Sequence, residues 1–147
     1  MRLIRSIGTL ALGVVAACSN AEPPMAPNAT PVAPDGSLPN GTGVTASFTR
    51  TGYNVTGTAT LVIDKGVAQL DFSPDFTIAS TPGPFVYLNT DANPNRGQPL
   101  RVAALRARTG AQRYTFQVPA GVRYTHVIIW CDPFNVGMAQ AVIPPTS

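Results

Sequence analysis

The side chains of this chain that could do chemistry meet in one stretch, YTHVIIWCDPF, from Tyr124 to Phe134. It holds the chain's one histidine, His126, its one tryptophan, Trp130, one of its two cysteines, Cys131, and an acid, Asp132. A cysteine with a histidine suggests an activated nucleophile or a metal site, and a cysteine with the downstream Met138 suggests a soft copper pair. The spacing argues against both. The run reads as a strand, so His126 lies about 16 Å from Cys131 and on the opposite face. If Asp132-Pro133 form a tight turn, Cys131 faces Phe134. Val127, Ile129 and Cys131 then share an apolar core face with Phe134, Val136 and Met138, and Met138 falls about four rungs away. His126, Ile128 and Trp130 point the other way, which makes His126 and Trp130 candidate binding residues on a solvent or groove face. Apolar surroundings and the neighbouring Asp132 both disfavour a thiolate, so local sequence predicts a poorly reactive thiol.

The elements that must position these residues are strands. Lysine appears once, at Lys65, and glutamate once, at Glu22, while Thr and Val are abundant. Strong helix formers are therefore scarce, and β-formers are common. NVTGTATLVIDKGVAQLDF predicts a hairpin: Ala59, Leu61 and Ile63 alternate, Lys65-Gly66 turns, and Ala68, Leu70 and Phe72 alternate on the return. PFVYLN follows a Pro-Gly-Pro breaker. QRYTFQV and VRYTHVIIWC are joined at Pro119-Ala120-Gly121, and NVGMAQAVI closes the domain. PLRVAALRARTG is ambiguous between a turn or two of helix and a short irregular strand. Short strands punctuated by Gly and Pro predict an all-β fold, an antiparallel sandwich or barrel in one domain over residues 39–147.

The N-terminus predicts export. Arg2 and Arg5 precede an apolar run from Ile7 to Ala17 that is too short to span a bilayer, giving a signal peptide over 1–17. Val15-Ala16-Ala17 before Cys18 resembles a bacterial lipobox, which implies cleavage before Cys18 and its acylation with palmitate-type chains. Two or three such chains give a stable membrane anchor. Ser19 after the cysteine favours the outer membrane, with the domain facing the periplasm. With Cys18 lipidated, Cys131 has no intrachain partner, and the fold must rest on a hydrophobic core. Residues 18–38, rich in Pro and Ala, read as a semi-extended tether.

Charge and motifs exclude more than they suggest. The precursor carries +3; loss of Arg2 and Arg5 leaves the mature side chains at +1. Arg101, Arg106, Arg108, Arg113 and Arg123 cluster in sequence, and a solvated face is the plainer reading than a basic docking patch. Nucleic acid is not an expected partner for a lipid-anchored exported domain. No HExxH, GxSxG, P-loop or CxxC motif is present, and no acid, base and nucleophile are assembled for hydrolysis. GTGVTA at 41–46 lacks the strand and helix that a dinucleotide site requires. DANPNRG, Asp91 to Gly97, offers one carboxylate where calcium wants several, and Val102 stands where a bidentate acid belongs.

Five segments in order, GYNVTGTATLVI, VAQLDF, PGPFVYLN, GAQRYTFQVP and HVIIWCDPFNVGMAQAVI, make the chain resemble the DM-thirteen domain family of Skeletor-type cell-surface proteins and bacterial lipoproteins. The last segment, an aromatic-cysteine strand followed by Phe and an Ala-containing strand, is the most specific. The resemblance implies an all-β domain with a near-invariant cysteine that is redox-active or holds a cofactor in electron transfer. Here only Cys131 can take that role, as a thiol meeting a redox partner protein or as a ligand to haem or a metal. The alternative is a non-catalytic binding or scaffolding module. In that reading Cys131 is a core residue, and loops 73–84 and 89–100, with Trp130 and His126, meet the partner. Placement of His126, Tyr87, Tyr114 or Met138 beside the Cys131 sulfur would favour the redox reading.

Overall fold

A computed structural model of the chain describes residues 24–32, 39 and 41–144. The signal segment and Cys18 lie outside the described residues. Among the described residues ten strands follow in order: β1 (Val44–Arg50), β2 (Val55–Thr56), β3 (Thr58–Asp64), β4 (Val67–Phe72), β5 (Thr77–Ile78), β6 (Pro84–Asn89), β7 (Leu100–Ala104), β8 (Gln112–Gln117), β9 (His126–Cys131) and β10 (Val136–Val142). A single 3-10 turn, Asp132–Phe134, separates the last two. Eight strands form one antiparallel, nearly closed barrel-like sheet in the order β7-β6-β9-β10-β1-β3-β4-β8; β2 and β5 pair separately.

β1 is the corner of this barrel. Its first half pairs with β3 (Val44 opposite Leu61) and its second half with β10 (Phe48 opposite Ala141). A strand that changes partners in this way turns one sheet into the next. The β3–β4 hairpin forms as its alternation predicts. Lys65 and Gly66 both take positive φ, 49° and 79°, the geometry of a two-residue primed turn. Ala59, Leu61, Ala68, Leu70 and Phe72 all face the core. There Phe48, Phe72, Phe76 and Tyr114 pack ring against ring, with centroids 4.8–5.6 Å apart.

Three sequence expectations change. The ambiguous PLRVAALRARTG begins as a strand, β7, edging β6 across a register shift at Val86/Tyr87. β8 and β9 are not hairpin partners: β8 pairs with β4, whereas β9 lies between β6 and β10. The Pro119-Ala120-Gly121 segment is therefore a crossing between the two sides of the barrel. Finally, part of the stretch read as a tether is docked. Ala29 N–H donates to Arg101 O (2.8 Å) and Arg101 N–H to Pro27 O (2.9 Å), on β7. Val32 N–H donates to Thr115 O (2.9 Å) and Gln117 N–H to Thr30 O (2.9 Å), on β8. Residues 27–32 thus sit between the two edge strands and occupy donors and acceptors that β7 and β8 would otherwise leave open. Proline and alanine composition hid this because an added edge segment needs only alternate backbone groups, which Pro27 and Pro31 leave intact.

Candidate functional site

Cys131 ends β9 with its side chain in the main core, fully buried beside Val127 and Ile129 in the alternation. Its thiol donates to Pro82 O at 3.0 Å. The same loop closes over the next residue, since Asp132 N–H donates to Gly83 O at 3.2 Å. Gly83 has φ 63°, and a Cβ there would come within 2.8 Å of Pro133. Glycine is required on both counts. Pro82 and Gly83 are themselves exposed, so one loop separates the thiol from solvent.

The turn after Cys131 sets a register different from the tight hairpin expected. Asn135 adopts the left-handed conformation (φ 50°), and Cys131 pairs with Val136 rather than facing Phe134. Phe134 and Val136 are consequently exposed (58% and 39%) and do not join the core face. A bulge between Gly137 and Ala139 then makes Met138 the extra residue, opposite the Trp130–Ile129 step. Met138 is fully buried and much nearer Cys131 along the ladder than four rungs. Its sulfur accepts from Thr81 Oγ1 at 3.1 Å. The two sulfurs therefore bond consecutive residues, Thr81 and Pro82, of one loop.

On the outer face a charged network abuts the same turn. Asp132 is buried at 5% exposure and accepts from Tyr87 OH at Oδ1 (2.7 Å). Its Oδ2 receives Arg101 Nε (2.9 Å) and Nη2 (2.7 Å). The guanidinium carbon lies 3.3 Å from the centroid of the Phe85 ring, and Nη1 donates to Asn28 Oδ1 at 3.3 Å. A buried carboxylate is costly unless paired and hydrogen-bonded, and here every partner is supplied. Burial first, and then the Asp132 hydrogen bond and charge, push the Tyr87 phenol far above the usual tyrosine range. Tyr87 is neutral and a donor at any physiological pH.

The structure places His126 and Cys131 at opposite ends and on opposite faces of β9. His126 Nδ1 meets Thr125 Oγ1 at 2.8 Å, and the histidine is not part of the thiol's surroundings. Trp130 does point away from Cys131, but into a second apolar cluster with Tyr87 and Ile128, packed by Phe85 and Ala26. It is only 7% exposed, and its Nε1 donates to Asn135 Oδ1 at 3.1 Å. The expected solvent or groove face is thus covered at Trp130. Tyr114 is on β8, where its hydroxyl donates to Gln112 Oε1 at 2.6 Å. Cys18 is outside the described residues.

Arg101 and Tyr87 were not legible as partners of Asp132. The signal was present: an acid at the end of an apolar strand requires a cation, and five arginines were available. Three of the five arginines are engaged with partners of their own. Arg101 holds Asp132, Arg113 pairs with Asp71 (2.6 Å), and Arg106 stacks on the Tyr114 ring at 4.8 Å. In the DANPNRG loop the one carboxylate is already engaged: Asp91 Oδ1 accepts Asn93 N–H at 2.8 Å and pairs with Arg96 at 3.4 Å. No group of three His, Cys, Asp or Glu side chains among the described residues could hold a metal ion. With its sulfur turned onto a carbonyl in the core, Cys131 as folded does not fit a haem or metal ligand set.

Among curated proteins and among solved structures nothing matches this chain. A family model does match, over residues 47–143, a span that runs from β1 to just past β10 and contains Cys131 as its one cysteine. The family is described as electron transfer DM13, and the chain belongs to it.

Proposed function

We propose that the chain is an envelope lipoprotein, anchored through acylated Cys18, whose barrel exchanges electrons with a redox partner through Cys131. The observation that carries this reading is that the sole thiol of the matched span lies directly beneath the exposed Pro82-Gly83 loop, held there by one hydrogen bond to Pro82 O. Opening that loop frees the sulfur by releasing the bonds from Thr81 to Met138 and from Asp132 N–H to Gly83 O, while the β6–β9 pairing from Pro84 onward can stay formed.

The step that a single thiol can complete is exchange with an incoming disulfide. The Cys131 thiolate attacks one sulfur, the S–S bond breaks, and the leaving thiolate takes up the proton that Cys131 gave up. The partner disulfide is reduced at one sulfur, and Cys131 is oxidised to a mixed disulfide. Asp132, pinned by Arg101 and Tyr87, fixes the turn from which Cys131 is presented. The complete burial of Cys131 favours the second reading, a binding module in which the thiol is only packing.

The test is the intact mass of the full chain extracted from cell envelopes under non-reducing and then reducing conditions. The expected species begins at an acylated Cys18 and carries a fraction of reductant-labile adduct at Cys131, absent in Cys131→Ala. An unacylated chain would overturn the anchor. A thiol that stays unmodified in oxidatively challenged cells would overturn the redox role and leave the binding module.

A further inference from the structure

Three of the side chains that hold the turn after Cys131 meet one and the same N-terminal segment. Arg101, the cation on Asp132, is gripped along its backbone by Pro27 O and Ala29 N–H, and its Nη1 donates to Asn28 Oδ1. Tyr87, which donates to Asp132, and Trp130, whose Nε1 donates to Asn135, form one apolar cluster with Ile128, and Ala26 packs on it. Asp132 N–H in turn closes the Pro82-Gly83 loop over the thiol. Contacts therefore lead from segment 24–32 to the cover of Cys131 by two routes, one polar through Arg101 and one apolar through Tyr87 and Trp130. The segment itself is lightly held. Met25, Pro27, Asn28, Thr30 and Pro31 are exposed, and Pro24 and Ala29 are its buried side chains. Four backbone bonds tie it to β7 and β8. Segments with little buried apolar surface open at lower free energy than the core strands beneath them, so this one comes off before the barrel opens.

We propose that segment 24–32 is a strap that latches the thiol site: docked, it keeps the Pro82-Gly83 loop shut over Cys131, and a group attached to the Cys131 sulfur keeps it released. This rests on the redox reading only for what modifies the thiol in the cell. Undocking uncovers Tyr87 and Trp130 and takes the Asn28 acceptor away from Arg101. The turn then loses support on its outer side, and the bond from Asp132 N–H to Gly83 O opens more readily. Linkage makes the effect reciprocal: whatever factor the docked strap imposes on loop opening, an open loop imposes on strap docking. A modified sulfur has no hydrogen to donate to Pro82 O and holds the loop open, so it selects the undocked strap.

The test is the rate at which iodoacetamide alkylates Cys131 in the full chain, the thiolate displacing iodide. Ala26→Asp sets a carboxylate against the Tyr87–Trp130 cluster, and Ala29→Pro removes a bond to β7; both lie outside the turn. Each is expected to speed alkylation about tenfold, a coupling of ordinary size between two sites. A peptide of residues 24–32, added in excess to Ala29→Pro, should restore the slow rate by refilling the place between β7 and β8. Ile78→Val, which loosens the core at β5, should leave the rate unchanged and so separates strap release from general instability. In the reverse direction, carbamidomethylated Cys131 should speed amide exchange at Ala29 and Val32 about tenfold without speeding it in β4. Unchanged alkylation in both strap variants would overturn the latch. So would an equal acceleration by Ile78→Val, or exchange at Ala29 and Val32 that ignores the adduct. Alkylation needs access and no electron transfer. A thiol that takes no glutathione yet alkylates in this strap-dependent way would therefore sink the redox role and support the latch.

Discussion

Asp132 shows how one residue can hold both faces of a strand end. Its backbone N–H ties the Pro82-Gly83 loop over Cys131, while its carboxylate holds Arg101 and Tyr87 on the outside. Asp132→Asn would leave Arg101 facing a neutral amide inside a site built for charge. Breaking a fully buried pair costs 3–5 kcal/mol, and the 28% exposure of the Arg101 side chain reduces this to about 2 kcal/mol, read as a lower urea midpoint. Gly83→Ala should cost about 1–2 kcal/mol, because it combines a positive φ with a clash against Pro133. Tyr87 gives a pH signature. Its phenol, raised by burial and by Asp132, stays protonated in the folded state where the unfolded chain has begun to ionise near the ordinary value of about 10. The unfolded state then binds fewer protons, so stability present below that pH falls as pH rises through the alkaline range. Tyr114 and Tyr124 are raised by burial in the same sense. Unfolding midpoints measured from pH 8 to 11 should decline, and Tyr87→Phe should flatten part of the decline.

Strands whose faces differ in burial were readable from alternation alone. In β3 and β4 the sequence pattern and the buried face coincide except at Ile63, which is left exposed, and in β9 the opposition of Cys131 to Trp130 follows from period two. What alternation could not supply was register. The exposure of Phe134 and the inward turn of Met138 depend on a left-handed Asn135 and a bulge, neither of which changes the hydrophobic pattern enough to show. Alternation was also silent about segment 27–32, whose six residues make long-range backbone bonds without any apolar period. Ala29→Pro should weaken that segment in particular, since it removes the N–H that donates to Arg101 O while leaving the strands proper intact. Loss of that bond also loosens Asn28 from Arg101 and Arg101 from Asp132. The expected outcome is a stability loss of about 1–2 kcal/mol together with faster alkylation of Cys131 by iodoacetamide. Unchanged alkylation would show that segment 27–32 and the thiol are energetically independent.

At the level of the whole molecule, the all-β class and the antiparallel barrel or sandwich followed from composition and turn residues, while closure did not. Closure depends on β1 dividing its pairing between β3 and β10, and on residues 27–32 lying between β7 and β8, contacts far apart in sequence. The candidate site was half legible for the same reason: Cys131 and its face are local, whereas Arg101, Tyr87 and the Pro82 carbonyl reach it through the sheet order. The nearly closed barrel leaves the thiol under one exposed loop at one end, with an apolar pocket at the other. The most direct test of its redox role is to equilibrate the full chain with graded ratios of reduced to oxidised glutathione, quench with acid, and read intact mass. A single glutathione adduct whose fraction follows the ratio, and which is absent in Cys131→Ala, is the predicted result. No adduct at any ratio under native conditions, with one forming only in urea, would contradict a redox role for Cys131.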